Sequence, residues 1–166
     1  YYEMQVKAVE RAKAAGQNPF PHKFHVCMSM PAFVAEFDGK VAAGETLTDV
    51  TVSIAGRVHT KRAQGAKLIF YDLVGEGQKV QIMAQAQAQS EEAATAFAAC
   101  HAAIHRGDIV GVVGHPGRTK KGELSIFPSQ TVRLTPCLHM LPRAHFGLKD
   151  QETRYRKRYL DLIMNG

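Results

Sequence analysis

Residues 67–73 have the sequence Lys-Leu-Ile-Phe-Tyr-Asp-Leu, and this stretch is the centre of the predicted fold. It contains aromatic and β-branched side chains and no glycine or proline, which predicts a β-strand. Side chains alternate between the two faces of a strand. One face therefore carries three side chains that can fill a core, those of Ile69, Tyr71 and Leu73. The other face places the Phe70 ring beside the Asp72 carboxylate, on the more polar side of the sheet.

A second predicted strand follows at residues 79–83, where two aliphatic side chains point inward and Gln81 points outward. Gly75-Glu76-Gly77 joins the two strands as a hairpin, and the glycines are expected to supply its unusual φ values. An exposed ring beside an exposed amide can stack on a nucleobase and hydrogen-bond to its edge. The alternative is that Phe70 covers a helix or belongs to the core.

The predicted elements follow one another in an order that is typical of one barrel fold. Strands at 49–60, 67–73 and 79–83 precede a helix that begins after Ser90 and stops at Gly107, and strands at 108–115 and 123–127 follow it. Three strands, a helix and two strands is the order of the OB-fold, a five-stranded Greek-key barrel that binds oligonucleotides. Gly56 is expected at a bulge or sharp bend of the first strand. OB barrels also bind oligosaccharides and proteins, so the fold alone does not give the function.

The sequence predicts three parts in a mainly β chain of the α+β class. Residues 1–48 form an N-terminal helical appendage, residues 49–135 form the OB-fold barrel, and residues 136–166 form a linker and the truncated start of a further domain. In that last part, a predicted helix from Asp150 carries an apolar stripe of Tyr155, Tyr159 and Leu162. No later segment of the sequence covers this stripe, which suggests a piece of a longer protein.

The appendage contains two predicted helices. The first spans residues 2–15, with Gly16 just past its end. Its buried stripe is expected at Met4, Ala8, Ala12 and Ala15. The second begins at the N-cap Ser29 and ends at about residue 37.

The chain of 166 residues has a net charge of +6 and a sequence pI near 9.3. This excess of positive charge favours a polyanion such as nucleic acid, or an acidic membrane surface, as a partner. The alternative is that the charge only keeps the chain soluble. No run of about 18 apolar residues is present, so no membrane span is predicted.

The cysteines and histidines predict neither a disulfide framework nor a metal site. Cys27, Cys100 and Cys137 are odd in number and widely spaced, which indicates free thiols in a reducing compartment. His22 and His25 lie close to Cys27, but no CxxC motif accompanies them.

Five stretches resemble the N-terminal half of the lysyl-tRNA synthetases of eukaryotic type. They are PFPHKF at 19–24, TVSIAGRVH at 51–59, KLIFYDL at 67–73, KGELS at 121–125 and FGLKDQETRYRKRYLDL at 146–162. The Ala-Gly-Arg strand and the spacing from the aromatic residue to the glutamine are shared by the aspartyl and asparaginyl relatives. The last stretch is the one that points to lysine.

The resemblance implies an anticodon-binding OB domain followed by a class II catalytic domain. Such an enzyme uses ATP and Mg²⁺ to activate lysine and link it to its tRNA. This chain lacks the ATP- and lysine-binding motifs, so it is expected to bind RNA without catalysis and to need no cofactor of its own. The implied partner is the anticodon loop of tRNA(Lys). The full-length enzyme is expected to be a cytoplasmic homodimer that can join other synthetases or scaffold proteins, with no membrane partner.

The resemblance also implies roles for single residues. Phe70 is expected to stack on the central uridine of the anticodon, and Gln81 to hydrogen-bond to that base. Arg57 and Glu123 match two further anticodon-contacting positions. A glutamine amide both donates and accepts, so it suits the edge of uracil, whereas Arg57 can only donate. Glu123 can only accept, and its expected use is to bind a base N–H and reject cytosine, which lacks the hydrogen at N3.

Basic side chains near these positions are expected to contact the RNA backbone. They are Arg62, Lys120 and Lys121. These assignments and those of Arg57 and Glu123 have alternatives. Arg57 can form an ion pair with Asp72 or Glu76, and Glu123 can form one with Lys120 or Lys121. The basic turn can also be exposed to solvent without contacting RNA.

Two other functions fit parts of the sequence. A general single-strand-binding OB protein would carry several aromatic side chains on its open face and no acid among them, whereas here Phe70 stands nearly alone beside Glu123. A protein-docking module would use the helix from Tyr2 and the stripe of Tyr155, Tyr159 and Leu162. These functions can coexist with anticodon binding.

Overall fold

A computed structural model describes residues 1–86, 90–143 and 148–165. Its helices are α1 (Tyr2–Ala14), α2 (Met30–Phe37), α3 (Glu91–Ala102), α4 (Gln151–Arg156) and α5 (Arg158–Met164). Its strands are β1 (Val52–Ala63), β2 (Leu68–Gly75), β3 (Gln78–Gln85), β4 (Ile109–Arg118) and β5 (Leu124–Thr135). The Phe146-Gly147 pair that opens the last family-like stretch lies outside the described residues.

The five strands form a closed barrel in the order β1-β2-β3-β5-β4. All neighbouring strands are antiparallel except β3 and β5, which pair in parallel at Gln81 with Ser125 and at Ile82 with Ile126. Helix α3 lies between β3 and β4 in sequence, as expected. The predicted OB-fold and the α+β class are therefore confirmed.

The barrel core contains the side chains that the alternating pattern placed inward. Ile69, Tyr71 and Leu73 on β2, and Val80 and Ile82 on β3, are all buried. Each fully buried aliphatic side chain contributes about 1.5–3 kcal/mol to stability. Helix α2 adds Met30, Phe33 and Phe37 to the same core. Its predicted N-cap is confirmed, because the Ser29 hydroxyl accepts a hydrogen bond from the Ala32 N–H at 3.2 Å.

Gly56 has a different role from the predicted bulge. The register of β1 against β2 shifts between Val58 and Thr60 instead. A Cβ at Gly56 would lie 2.2 Å from the Met30 Cε and 3.0 Å from the Val74 carbonyl oxygen, so the glycine leaves room for the Met30 side chain of helix α2. Sequence alternation cannot show this, because the contact joins two distant segments.

The β2–β3 hairpin forms as predicted, but its backbone differs in one respect. The two turn residues, Glu76 and Gly77, have φ values of 52° and 75°. Two central residues with positive φ are the signature of a type I′ turn, whose twist matches that of the strands. Gly75 is not among the residues with positive φ; it ends β2, with the Met30 Sδ 3.2 Å from where its Cβ would be.

The predicted stripe of helix α1 is wrong. Gln5 and Val9 are its buried residues, and Met4 is 70% exposed. The Tyr2 ring stacks on His139 with ring centres 4.7 Å apart. The helix face that carries Tyr2, Gln5 and Val9 is therefore the one that packs against the rest of the protein. Alanines offer little apolar area, so they do not determine which face packs. Gly16 follows the helix with φ 74°, as expected.

Helix α3 packs through a residue that the predicted stripe omitted. Three residues of the predicted stripe do face the core: Ile104 is buried, and Phe97 and Cys100 pack against the core, whereas Ala93 is exposed. The buried residue within the helix itself is His101. Its Nδ1 lies 2.6 Å from the Tyr71 hydroxyl of β2. Burial, with the nearby Lys61 ammonium as a smaller cause, lowers the pKa of His101 from 6.5 to about 4.

Three element boundaries differ from the predicted ones. Strand β4 continues past the predicted end at residue 115 to Arg118, and β5 continues past the predicted end at residue 127 to Thr135. The C-terminal helix is two helices, because Lys157 leaves helical geometry with φ −119° and ψ 52°. The predicted exposed stripe is confirmed, since Tyr155, Tyr159 and Leu162 are about 60% exposed or more. Within the described ranges, no helix has both the length and the apolar character needed to cross a bilayer.

Candidate nucleic-acid interface

An open groove with a volume of about 700 Å³ lies on the outside of the barrel. Residues of β1, β2, β3 and the β4–β5 turn line it. All the predicted site residues except Arg57 are among them: Arg62, Phe70, Gln81, Lys120, Lys121 and Glu123. The structure therefore brings together an aromatic ring, an amide, a carboxylate and three cations from four separate segments of sequence.

Phe70 forms the apolar part of the groove. It lies on β2 with its ring partly exposed, paired with Arg62 on β1 and with Met83 on β3. The Arg62 guanidinium carbon is 5.9 Å from the centre of the ring. A partly exposed ring with a cation beside it can stack on a base and hold the adjacent phosphate.

Gln81 lies on β3 and is half-buried in the groove floor. It is paired with Asp72 on β2 and, in parallel, with Ser125 on β5. The Ser125 hydroxyl donates a hydrogen bond to the Gln81 Oε1 at 2.9 Å. Sequence reasoning missed this contact, since a serine gives no signal of its partner on a strand 44 residues away.

Ser125 interrupts the alternation of buried and exposed side chains along β5. It is fully buried, although Glu123 and Phe127 on either side of it are not. The parallel pairing of β3 and β5 closes the barrel at this point and covers the serine.

Asp72 is a buried carboxylate at the edge of the groove. It is 9% exposed, and it accepts a hydrogen bond from the Thr60 hydroxyl at 2.6 Å. The Arg62 Nη2 lies 4.0 Å from the other carboxylate oxygen. The cation paired with Asp72 is therefore Arg62, which also lies beside the Phe70 ring.

Arg57 is not brought into the groove. Its Nη1 donates to the Gly107 carbonyl at 2.8 Å, which ties β1 to the loop before β4. It lines a separate cavity of about 290 Å³ together with residues that include Leu141 and Leu162. Its alternative ion pairs with Asp72 and Glu76 are also absent from the described part of the chain.

The β4–β5 turn supplies the basic rim of the groove. The Thr119 N–H donates to the Glu123 carbonyl at 2.9 Å, and the Glu123 N–H donates back to the Thr119 hydroxyl at 3.2 Å. Gly122 has φ 90°, which suits this tight turn. Lys120 and Lys121 are exposed on it. No ion pair to the Glu123 carboxylate is present among the described residues, so both of its oxygens can accept from a ligand.

The groove carries charges of both signs. Cationic side chains of β1, β3 and the turn include Arg62, Lys79 and Lys120, and the acids are Asp72 and Glu123. Such a groove can bind a phosphodiester through its cations and test a base edge through its acceptors. In the ranges 1–86, 90–143 and 148–165, no three His, Cys, Asp or Glu side chains lie close enough to hold a metal ion.

Comparisons with known proteins give two findings. Residues 52–133 match the family model described as an OB-fold nucleic acid binding domain. The chain is 47% identical over 171 residues to the lysine–tRNA ligase cla4 of Cladosporium cladosporioides, covering 99% of this chain and 28% of the relative. It is 36% identical over 165 residues to a probable cytoplasmic lysine–tRNA ligase of Encephalitozoon cuniculi, covering 99% of this chain and 31% of the relative.

A bacterial relative is similar to nearly the same extent. The lysine–tRNA ligase of Magnetococcus marinus is 38% identical over 157 residues, covering 95% of this chain and 30% of the relative. The chain thus spans less than a third of the length of each of these three curated relatives.

Proposed function

We propose that the groove binds the anticodon loop of tRNA(Lys) as part of a lysine–tRNA ligase, a proposal that starts from the match of residues 52–133 to the model of OB-fold nucleic acid binding domains. The observation that carries the proposal is the composition of the groove. One ring, one half-buried amide, one unpaired carboxylate and a basic rim meet in about 700 Å³. The similarity of nearly the whole chain to lysine–tRNA ligases supports tRNA(Lys) as the RNA.

Each groove residue takes the role that its chemistry allows. Phe70 stacks on the central base, and Gln81 hydrogen-bonds to the edge of that base. Glu123 accepts a base N–H. Lys120 and Lys121 neutralise phosphates of the loop.

Arg62 contacts the RNA next to the base that stacks on Phe70, because its guanidinium already lies beside the ring and the Asp72 carboxylate. From this position it can donate to a base carbonyl or to the phosphate that follows the stacked base. We place Arg57 outside the interface, as a residue that holds β1 to the Gly107 loop.

The longer protein is proposed to activate lysine with ATP and Mg²⁺ and to attach it to tRNA(Lys), as a cytoplasmic homodimer. In this scheme residues 1–48 are a helical appendage, residues 49–135 bind the anticodon, and residues 136–166 begin the catalytic domain.

A second candidate function rests on the exposed side chains of α4 and α5. Tyr155, Tyr159 and Leu162 are 60%, 59% and 66% exposed, and a protein surface would cover such a stripe. Asp161 fixes the two helices that present it, because it binds Arg154 at 2.7 Å and Arg158 at 3.2 Å. A general single-strand binder is disfavoured, because Phe70 is the one aromatic side chain among the groove residues and Glu123 lies beside it.

Chemical-shift mapping tests where the RNA binds. A hairpin whose loop carries the triplet UUU is titrated into ¹⁵N-labelled chain. We expect the largest amide shifts at β2, β3 and the turn that holds Lys120 and Lys121. Shifts centred on α1, or on α4 and α5, would contradict the proposal and favour docking through a helical surface.

A further inference from the structure

We propose that Ser125 and Asp72 are positioning residues that hold the Gln81 amide in one orientation, and that this orientation selects one pyrimidine over the other. The inference rests on the proposed function, because it takes a nucleobase as the ligand of the groove. It concerns two side chains to which the sequence resemblance assigned no role.

The row of polar residues that contains Gln81 crosses four strands. Thr60 pairs with Asp72, Asp72 with Gln81, and Gln81 with Ser125, so the four lie in register across β1, β2, β3 and β5. Gln81 therefore has a carboxylate on one neighbouring strand and a hydroxyl on the other.

The contact with Ser125 places the amide oxygen on the β5 side. Ser125 Oγ lies 2.9 Å from Gln81 Oε1, and an amide oxygen carries no hydrogen, so the serine must donate. The same Oγ is 3.2 Å from the Glu123 carbonyl, which already accepts from the Thr119 N–H at 2.9 Å. The distance to Gln81 is the shorter of the two, which favours Gln81 as the acceptor of the single hydroxyl hydrogen.

The Asp72 carboxylate, which is in register with Gln81 on the neighbouring strand, disfavours the opposite orientation. A serine alone would tolerate a rotated amide, because its hydroxyl can also accept from Nε2. A carboxylate can only accept, so it repels an amide oxygen and attracts an amide N–H₂ group. Asp72 is 9% exposed, and its Oδ2 accepts from the Thr60 hydroxyl, so it cannot turn away freely. The hydroxyl and the carboxylate therefore favour the same orientation of Gln81.

A fixed amide distinguishes uracil from cytosine because the hydrogen-bond donors and acceptors of the two bases differ at N3 and at position 4. Uracil has a donor at N3 and an acceptor at position 4, and cytosine has an acceptor at N3 and a donor at position 4. A glutamine that rotates freely by 180° can pair with either base. Stacking on Phe70 holds the base in one position. An amide that Ser125 and Asp72 hold in one orientation can then pair well with only one of the two pyrimidines. With tRNA(Lys) as the ligand, the base that is accepted is uracil.

Binding to two hairpins tests this inference. The loops carry UUU and UCU, and the affinities of the wild-type chain, Ser125→Ala and Asp72→Asn are measured for both. We expect each variant to lower the UUU-to-UCU affinity ratio toward one, by about fivefold, the value of one neutral hydrogen bond. Affinity for UUU itself should fall less than the ratio does, because stacking and phosphate contacts remain.

Two controls separate positioning from a general structural effect. Ser129→Ala changes another serine of β5, whose hydroxyl bonds to the Val113 carbonyl, and it should leave the ratio unchanged. Ser125→Ala introduced into a Gln81→Ala background should have no further effect on the ratio, since the amide it positions is gone. Thermal unfolding of each variant shows that it is folded.

The outcomes distinguish this inference from the function on which it rests. A wild-type chain that prefers UUU, together with a Ser125→Ala variant that keeps the full preference, overturns the inference and leaves the function standing. An equal further loss in the Gln81→Ala background also overturns it, because Ser125 then acts independently of the amide. A wild-type chain that binds both hairpins equally overturns the function and the inference together.

Discussion

The guanidinium of Arg62 lies 5.9 Å from the centre of the Phe70 ring, and the two residues are paired directly across β1 and β2. The same guanidinium is 4.0 Å from the Asp72 carboxylate, on the strand that carries the ring. A base stacked on Phe70 would therefore meet a cation at one edge and the Gln81 amide one strand further on. The expected effects of substitutions follow from this arrangement.

Replacing the ring removes the stacking surface. We expect Phe70→Ala to weaken binding of a UUU-loop hairpin by about 1–3 kcal/mol, the value of one stacked base. Fluorescence anisotropy with labelled hairpin measures the change. Phe20→Ala is the matched control, because this ring is 41% exposed outside the groove and should leave affinity unchanged. Unchanged affinity of Phe70→Ala would remove the stacking role.

Two arginines of β1 should behave differently. Arg62→Ala is expected to weaken hairpin binding, because it removes a cation beside the stacked base. Arg57→Ala should leave binding within about twofold and lower the free energy of unfolding by about 1–2 kcal/mol, because it frees the partly buried Gly107 carbonyl. Urea unfolding and hairpin titration of both variants separate the two effects. Equal losses of affinity would show that Arg57 also contacts RNA.

The lysines of the β4–β5 turn should contribute charge without selectivity. Lys121→Ala is expected to reduce the slope of log K against log[salt] by about 0.7, the value for one phosphate of a single strand. The UUU-to-UCU ratio should not change. Lys40→Ala serves as the control, since that lysine pairs with Glu36 and does not line the groove. A changed base preference in Lys121→Ala would contradict a phosphate role.

Burial of His101 predicts a pH dependence of stability. Its pKa is lowered in the folded chain to about 4, below its ordinary value of 6.5. The unfolded chain therefore takes up a proton first as the pH falls. The stability linked to the neutral ring is fully present above pH 6.5 and is lost progressively between pH 6.5 and about 4.

His101→Gln tests this dependence, because it removes the titrating ring. Urea unfolding at several pH values should show a smaller loss of stability between pH 6.5 and 4 in the variant than in the wild-type chain. The difference between the two isolates His101 from the carboxylates that also titrate. His25→Gln changes an exposed histidine and should behave like the wild-type chain. Parallel curves for His101→Gln and the wild-type chain would show that His101 is not the group responsible.

The parts of the fold that depend on local pattern could be predicted from the sequence. The inward faces of β2 and β3 follow from alternation, and the hairpin follows from its glycine-rich turn. The positions of Phe70 and Gln81 in the groove follow from the same alternation. Long-range packing could not be predicted. Gly56 makes room for Met30, a residue on a separate helix, and no local pattern shows that contact.

In the groove too, some features could be predicted from local sequence and others depend on long-range packing. Its ring, amide and cations could be proposed residue by residue, but the neighbours that orient them could not. Ser125 meets Gln81 only because β3 and β5 pair in parallel to close the barrel. Arg57 and Arg62 both lie on β1, and only the folded chain shows that Arg62 is the one beside Phe70.

The central claim is that this barrel recognises the middle base of the lysine anticodon. The most direct test is equilibrium binding of the chain to hairpins with UUU and UCU loops at about 50 and 200 mM salt. We predict that UUU binds more tightly by roughly fivefold or more, and that the difference persists at the higher salt while both affinities fall. Equal binding that fades equally with salt would contradict the claim, because only the charge of the RNA backbone would then be recognised.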